Sequence, residues 1–474
     1  MNIQLTRAKR WLILLNVSTS VFMATLDGSI VNIALPVISK KLSVDISSIQ
    51  WVVTAYLLTI SILLLIWGKI SDQYGRKNVF AAGFIIFTAG SALCSLSTSL
   101  SMLVFSRMIQ AIGASSMMAL SQGIITATFP PKERGKALGI VGTTVAIGSL
   151  VGPGLGGVLV HSIGWQSIFY INIPIGIIGT VLTFLIIPKL HQIPEKVDFD
   201  YKGTAMFVVL ISLLFLGLLM FQESRISIVP LIVMLLVSAV LLALFIRHEK
   251  AAIHPLINLK LFNNSVFSLG IASGYLIFVA MFASILFLPF YLQYVLSLNT
   301  LAAGLLMSFY PIATAVVAPV SGWISDKISY RPLTIAGLVI STFSLFALST
   351  LDAGSTHFKF AALMSLLGMG TALFHSPNTS SIMGSVPRDQ LGIAGGINAL
   401  FRNLGMISGI TLSVNLFSLF TRMNINSISN NSAPLDTSLF LKGFKIVMTS
   451  AAITCLLAAV ISIVRVRHNK SASI

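Results

Sequence analysis

Residues 261–325 read LFNNSVFSLGIASGYLIFVAMFASILFLPFYLQYVLSLNTLAAGLLMSFYPIATAVVAPVSGWIS, a run of 65 residues without Asp, Glu, Lys, Arg or His. One helix of that length would extend about 98 Å, whereas a bilayer core is about 30 Å thick and takes roughly 20 apolar residues per crossing. The run is therefore two crossings, with the break expected at Gln293 to Asn299. The stretch from Ala137 to Pro188, free of Asp, Glu, Lys and Arg, divides in the same way around HSIGWQS (161–167). Extended to the whole chain, this reading finds fourteen apolar stretches, the first at residues 12–36 and the last at 443–464. Composition agrees: of 474 residues, 56% are hydrophobic and 9% charged, with a mean hydropathy of +0.94. A soluble globular chain carries roughly 25% charge, so the composition speaks against a soluble enzyme.

The formal net charge of +17 would suggest a nucleic-acid partner in a soluble protein. Here the basic residues fall between apolar runs, so the partner is the lipid bilayer and no nucleic acid is expected. Lys and Arg are retained on the cytoplasmic side during insertion. With the N-terminus inside, 21 of the 30 basic residues lie in inner segments, seven lie outside, and Arg107 and Arg402 lie within spans. An odd number of spans would spoil that asymmetry, so both termini are expected in the cytoplasm and the chain in the cell membrane. The opening MNIQLTRAKRWLILLN has the order of a secretory leader, basic then apolar. Its apolar stretch runs past Asp27 to Pro36 without a cleavage site, and it is read as the first span. Cys94 and Cys455 each sit in an apolar span and indicate neither a disulfide framework nor a metal site.

The chain repeats itself. GKISDQYGRK (68–77) follows the second span and GWISDKISYR (322–331) follows the tenth. PKERGKALGI (131–140) and PRDQLGIAGGI (387–397) open the fifth and thirteenth. The two offsets, 254 and 256 residues, agree closely. An all-α membrane protein of two six-helix bundles, with two further helices inserted between them, follows from this spacing. The expected divisions are 1–190, 191–260 and 261–474.

These residues resemble the fourteen-span drug:proton antiporters of the major facilitator superfamily. The resemblance covers essentially the whole chain. It rests on LDGSIVNIALP (26–36), GKISDQYGRK (68–77), SRMIQAIGAS (106–115), GSLVGPGLGG (148–157) and GWQSIFYINIPIG (164–176). The loop motif marks the superfamily, and the Gly-Pro run of the fifth span marks the antiporters and implies export. Ala111 stands where the fourth-span pattern usually has Gly, Gln166 and Ser167 replace the usual Arg-Trp after Trp165, and Ser329 replaces a Gly in the second loop. The resemblance implies proton-coupled export of amphipathic, often cationic drugs by alternating access. A dedicated exporter of a lipid, siderophore or metabolite on the same scaffold remains open.

Asp27 is the one carboxylate well within an expected span, roughly 13 Å below the external end. An ionised Asp there costs several kcal/mol unless it pairs, meets water or takes a proton. Burial disfavours its charged form and a nearby cation favours it, so its protonation can follow the occupancy of a cavity. Arg107, at comparable depth in the same half, is the expected counterpart. A permanent structural ion pair and a proton-coupling pair are both open, and the resemblance assigns this Arg to proton coupling. Arg402 is read with equal weight as structural or as part of transport.

At the expected cytoplasmic surface, Gly68, Asp72, Gly75 and Arg76 are read as a conformational latch, while Lys77 reflects topology alone. Gly148, Gly152 and Gly156 recur every four residues and form a small face that admits a neighbouring backbone. Pro153 removes a helix hydrogen bond and favours a bend, and with Gly157 these residues complete the antiporter motif. Asn32, Trp51, Tyr56, Met117 and Phe309 are candidates for a substrate cavity. The missing acidic residues of the later spans imply monovalent or zwitterionic substrates rather than divalent cations. The seven His residues are scattered and there is no GxxxxGK[ST] loop, so no metal, cofactor or catalytic site is expected.

Overall fold

The computed structural model describes residues 6–44, 49, 51–188, 200–222, 228–252, 255–298, 300–387, 390–421 and 437–471. Among these the regular structure is helical. In chain order the helices are α1 (Arg7–Leu42), α2 (Trp51–Tyr74), α3 (Arg76–Ser95), α4 (Leu100–Thr128), α5 (Arg134–Ser162), α6 (Asn172–Ile186), α7 (Tyr201–Gln222) and α8 (Ile228–Ala251). There follow α9 (Ser265–Phe290), α10 (Thr300–Met307), α11 (Phe309–Lys327), α12 (Tyr330–Leu348), α13 (His357–Gly384), α14 (Leu391–Thr421) and α15 (Thr437–Ser471). Thirteen helical stretches are long and apolar enough to cross a bilayer, α10 and α11 together counting as one, and α7 adds a shorter apolar segment at Tyr201–Leu214. The protein is thus an all-α multi-pass membrane protein.

The local sequence explains where helices begin and end. The 65-residue run divides where its polar residues fall: α9 gives way to a π-helical turn at Tyr291–Val295. Asn264 starts α9 by accepting from the backbone N–H groups of Val266 and Phe267 at 2.9 and 3.4 Å, satisfying donors that a helix N-terminus leaves open. Ser99 does the same for α4 through Met102 N–H at 3.3 Å. Between α2 and α3 the chain turns at one residue, Gly75, with φ of 87°, a conformation that costs a side-chain-bearing residue free energy. Apolar side chains on α8 point outward, Val229, Leu236 and Val240 being 60–64% exposed, as a lipid-facing helix requires.

Two compact units are present: residues 1–212, 243–259 and 383–400 form one, and residues 213–242, 260–382 and 401–474 the other. In the first unit, small residues bring helix backbones together. A Cβ at Gly90 would lie 2.5 Å from the Gln110 backbone, and one at Gly113 would strike Phe87 N, so α3 and α4 pack almost backbone to backbone. The start of α14 is seated similarly: Cβ atoms at Gly395 and Gly396 would lie 2.6 and 2.7 Å from the carbonyl oxygens of Ala119 and Leu64. The second unit is held by aromatic packing. Phe287 and Phe417 have ring centroids 4.8 Å apart, Tyr291 stacks on Phe444 at 5.1 Å, and the Tyr291 hydroxyl donates to Asp352 O at 2.7 Å.

Candidate functional site

Four helices of the first unit converge on Asp27. Its side chain is 0% exposed and Arg107 is 1% exposed. Arg107 Nη1 donates to Asp27 Oδ2 at 2.5 Å and to Gln110 Oε1 at 2.6 Å. Gln110 Nε2 donates to Asp27 Oδ1 and to Ser91 Oγ, both at 2.8 Å, and Asn172 Nδ2 reaches Asp27 Oδ1 at 3.1 Å. Arg107 Nε donates to Val52 O at 3.3 Å, and the guanidinium carbon lies 3.8 Å from the Tyr56 ring centroid. A carboxylate and a guanidinium are thus removed from water together, each provided with further hydrogen-bonding groups. That is the condition under which a buried pair becomes tolerable.

Of the expected partners, the structure brings Asp27 and Arg107 into contact. Gln110, Asn172 and Ser91 were not singled out from sequence, although two of them were legible. Gln110 lies three residues after Arg107, one turn along the same helical face, and Asn172 interrupts the apolar start of α6. Ser91 carries no sequence signal that separates it from other buried serines. Asn172 Oδ1 has no hydrogen-bond partner among the described residues.

The fifth-span glycines meet α1 beside Asp27. A Cβ on Gly148 would strike Thr25 Oγ1, one on Gly152 Ser29 Oγ, and one on Gly156 would come within 2.7 Å of Ile30 Cγ1. Ser29 Oγ donates to Gly148 O at 3.1 Å. Gly157 is off this seam, exposed and with nothing within 4 Å of its Cβ position. At the other motif, a Cβ on Gly68 would come within 2.8 Å of Gly392 O on α14. Arg76 is buried, Lys69 Nζ donates to Pro255 O at 2.8 Å, and Lys77 Nζ to Phe184 O at 2.7 Å. The side chains of Asn32, Asp72 and Pro153 lie outside the described residues.

The cavity candidates are dispersed. Tyr56 covers Arg107, and Met117 is fully buried in the seam against Gly83. Trp51 lines an open groove with Leu100, Val104, Phe105 and Met108, and Phe309 is 41% exposed. Among the described residues no group of His, Cys, Asp and Glu side chains is arranged to hold a metal ion.

Bundled apolar helices with a buried acid–base pair define a polytopic membrane transporter as the class of protein. The sequence profile of the Major Facilitator Superfamily matches residues 17–410, and the chain belongs to that family. It is 37% identical to the riboflavin transporter RibZ of Clostridioides difficile (strain 630), over 90% of this chain and 92% of that one. It is 30% identical to the multidrug transporter protein MdtP of Bacillus subtilis (strain 168), over 86% of this chain and 75% of that one. Among solved structures, the human organic anion transporter MFSD10 (TETRAN) superposes with a TM-score of 0.68 at 14% identity, covering 96% of this chain and 99% of that one, a likeness of fold alone.

Proposed function

We propose that the protein exports amphipathic organic compounds, cationic ones among them, across the cell membrane in exchange for protons, by alternating access with both termini in the cytoplasm. The observation that carries this reading is the fully buried Asp27–Arg107 pair, fitted with Gln110 and Asn172. A proton delivered to Asp27 cancels the attraction to Arg107 and leaves a neutral acid among amide partners. Loss of that proton restores the pair. Two states of similar hydrogen bonding but different net charge are what proton-driven exchange needs. The α1–α5 glycine seam at Gly148, Gly152 and Gly156 supports it by coupling α1 rigidly to its neighbour, with Pro153 and Gly157 completing the motif. Gly68, Asp72, Gly75 and Arg76 act as the cytoplasmic latch. The organisation proposed is two six-helix bundles, 1–190 and 261–474, with two inserted helices in 191–260.

A second reading, a dedicated exporter of one metabolite, is favoured by the 37% identity to a protein named as a riboflavin transporter. Substrate-induced proton release in everted vesicles separates the two. Release with several unrelated lipophilic compounds, lost in Asp27→Asn, is the expected result. Full pH-gradient-driven transport by correctly inserted Asp27→Asn sinks the coupling role, and response to a single compound class selects the dedicated exporter.

A further inference from the structure

The second unit contains an arginine that the proton-coupling site does not use. Arg402 lies eleven residues into α14, roughly 16 Å from its start at 1.5 Å per residue. The two other buried helical arginines are occupied: Arg107 by Asp27, and Arg465 by Asn378 Oδ1 at 2.6 Å and Ser381 Oγ at 2.5 Å. Arg402 makes no hydrogen bond or ion pair among the described residues, yet its nitrogens are not sealed from solvent. Its surroundings supply no counter-charge, because α9, α13 and α14 contain no Asp or Glu. An uncompensated guanidinium inside a membrane-spanning helix is costly unless water or an anion meets it.

The groups around it are aromatic and hydrogen-bonding. His375 on α13 is close enough to interact with Arg402 electrostatically, and its ring packs edge-on to Phe278 with centroids 5.6 Å apart. Phe401, beside Arg402 in the chain, packs edge-on to Tyr275 at 6.4 Å, and the Tyr275 hydroxyl donates to Ser408 Oγ at 3.1 Å. Gly405 keeps α14 against α9, its Cβ position being 2.7 Å from Tyr275 O. Arg402, His375, Phe278, Tyr275 and Phe401 are each partly open while residues flanking them are buried. They form a partly accessible face with one fixed cation and several ring edges.

We propose that this face is a substrate-recognition site for planar aromatic compounds bearing an anionic oxygen, zwitterions included. Arg402 pairs with the anionic group through its forked donors, and His375 adds a hydrogen-bonding ring. Phe278, Tyr275 and Phe401 present edges to the aromatic body, the favoured geometry for rings that do not stack face to face. The inference rests on the export reading and narrows it: the first unit handles the proton, and the second selects substrates by a negative rather than a positive charge.

Two xanthene dyes of opposite charge test it, fluorescein as the anion and rhodamine 6G as the cation, by equilibrium binding to the purified protein without a pH gradient. The native protein is expected to prefer fluorescein. Arg402→Gln should weaken fluorescein binding tenfold or more and change rhodamine 6G binding less than twofold, with Arg402→Lys recovering part of the loss. A native preference for rhodamine 6G, fluorescein affinity unchanged in Arg402→Gln, or equal loss of both dyes in Arg402→Gln and Arg402→Lys would each overturn the proposal. Because binding is read without a gradient, Asp27→Asn should keep the dye preference. Absence of proton-driven transport alongside an intact Arg402-dependent preference would sink the antiport reading and leave this one standing.

Discussion

Neutralising Asp27 and Arg107 one at a time should cost far more than neutralising both. In Asp27→Asn the guanidinium keeps Gln110 Oε1 at 2.6 Å, Val52 O at 3.3 Å and the Tyr56 ring at 3.8 Å, but it faces an amide in place of its counter-charge at 1% exposure. Breaking a buried pair from one side costs about 3–5 kcal/mol. The three retained contacts put Asp27→Asn at the lower end, about 3 kcal/mol. Arg107→Gln strands a carboxylate that still accepts from Gln110 at 2.8 Å and Asn172 at 3.1 Å, so a similar cost follows. The double variant, Asp27→Asn combined with Arg107→Gln, buries no charge at these positions and retains amide partners throughout. It should lie within about 1–2 kcal/mol of the native protein. A coupling energy of about 3 kcal/mol or more is therefore expected between the two positions. Reversible unfolding in mixed micelles, followed by circular dichroism for the four proteins, measures it. Additivity within about 0.5 kcal/mol would refute the claim that these charges depend on one another.

Other expectations concern the seam and one loop carboxylate. Gly152→Ala should destabilise by about 1–3 kcal/mol and slow export, because its Cβ would fall on Ser29 Oγ. Gly157→Ala, which meets nothing within 4 Å, should stay within about 0.5 kcal/mol of native; equal melting shifts for the two would remove the seam. At Asp200 burial pushes the carboxyl up, but Gly203 N–H at 2.8 Å and His248 Nε2 at 2.9 Å outweigh it and hold the group below its usual range. A lowered carboxylate stabilises above its unfolded value, roughly 4, and loses that contribution as pH falls through the lowered folded value. His248→Ala should thus lower the melting temperature modestly at pH 5–7, by less than about 1 kcal/mol equivalent since the pair is partly exposed, and converge with native in stronger acid. A difference that widens below pH 4 would reverse the assignment.

The membrane class, the number of crossings and the position of Asp27 and Arg107 were legible in the chain because a bilayer imposes simple rules. Crossings need about 20 apolar residues, and charges inside them are rare. Motif spacing also made the glycine face visible, since residues four apart share one side of a helix. Other features depended on which faces meet. Asn172 is 145 residues from Asp27, and nothing in its helical period says that α6 turns that residue toward α1. Tyr56 looked like a cavity residue because it is aromatic within a span, but packing laid its ring over Arg107. Gly157 follows the glycine periodicity by one residue, a rotation of about 100°, and that rotation takes it off the α1 seam. Arg402 was visible as a charge in a span, whereas its lack of a partner is a property of three helices that contribute no acid to its surroundings. Sequence by itself determined what must be buried in lipid and which charges need an explanation; only the tertiary structure decided which partners each charge receives, because those pairings are set by rotation and close approach of helices distant in the chain.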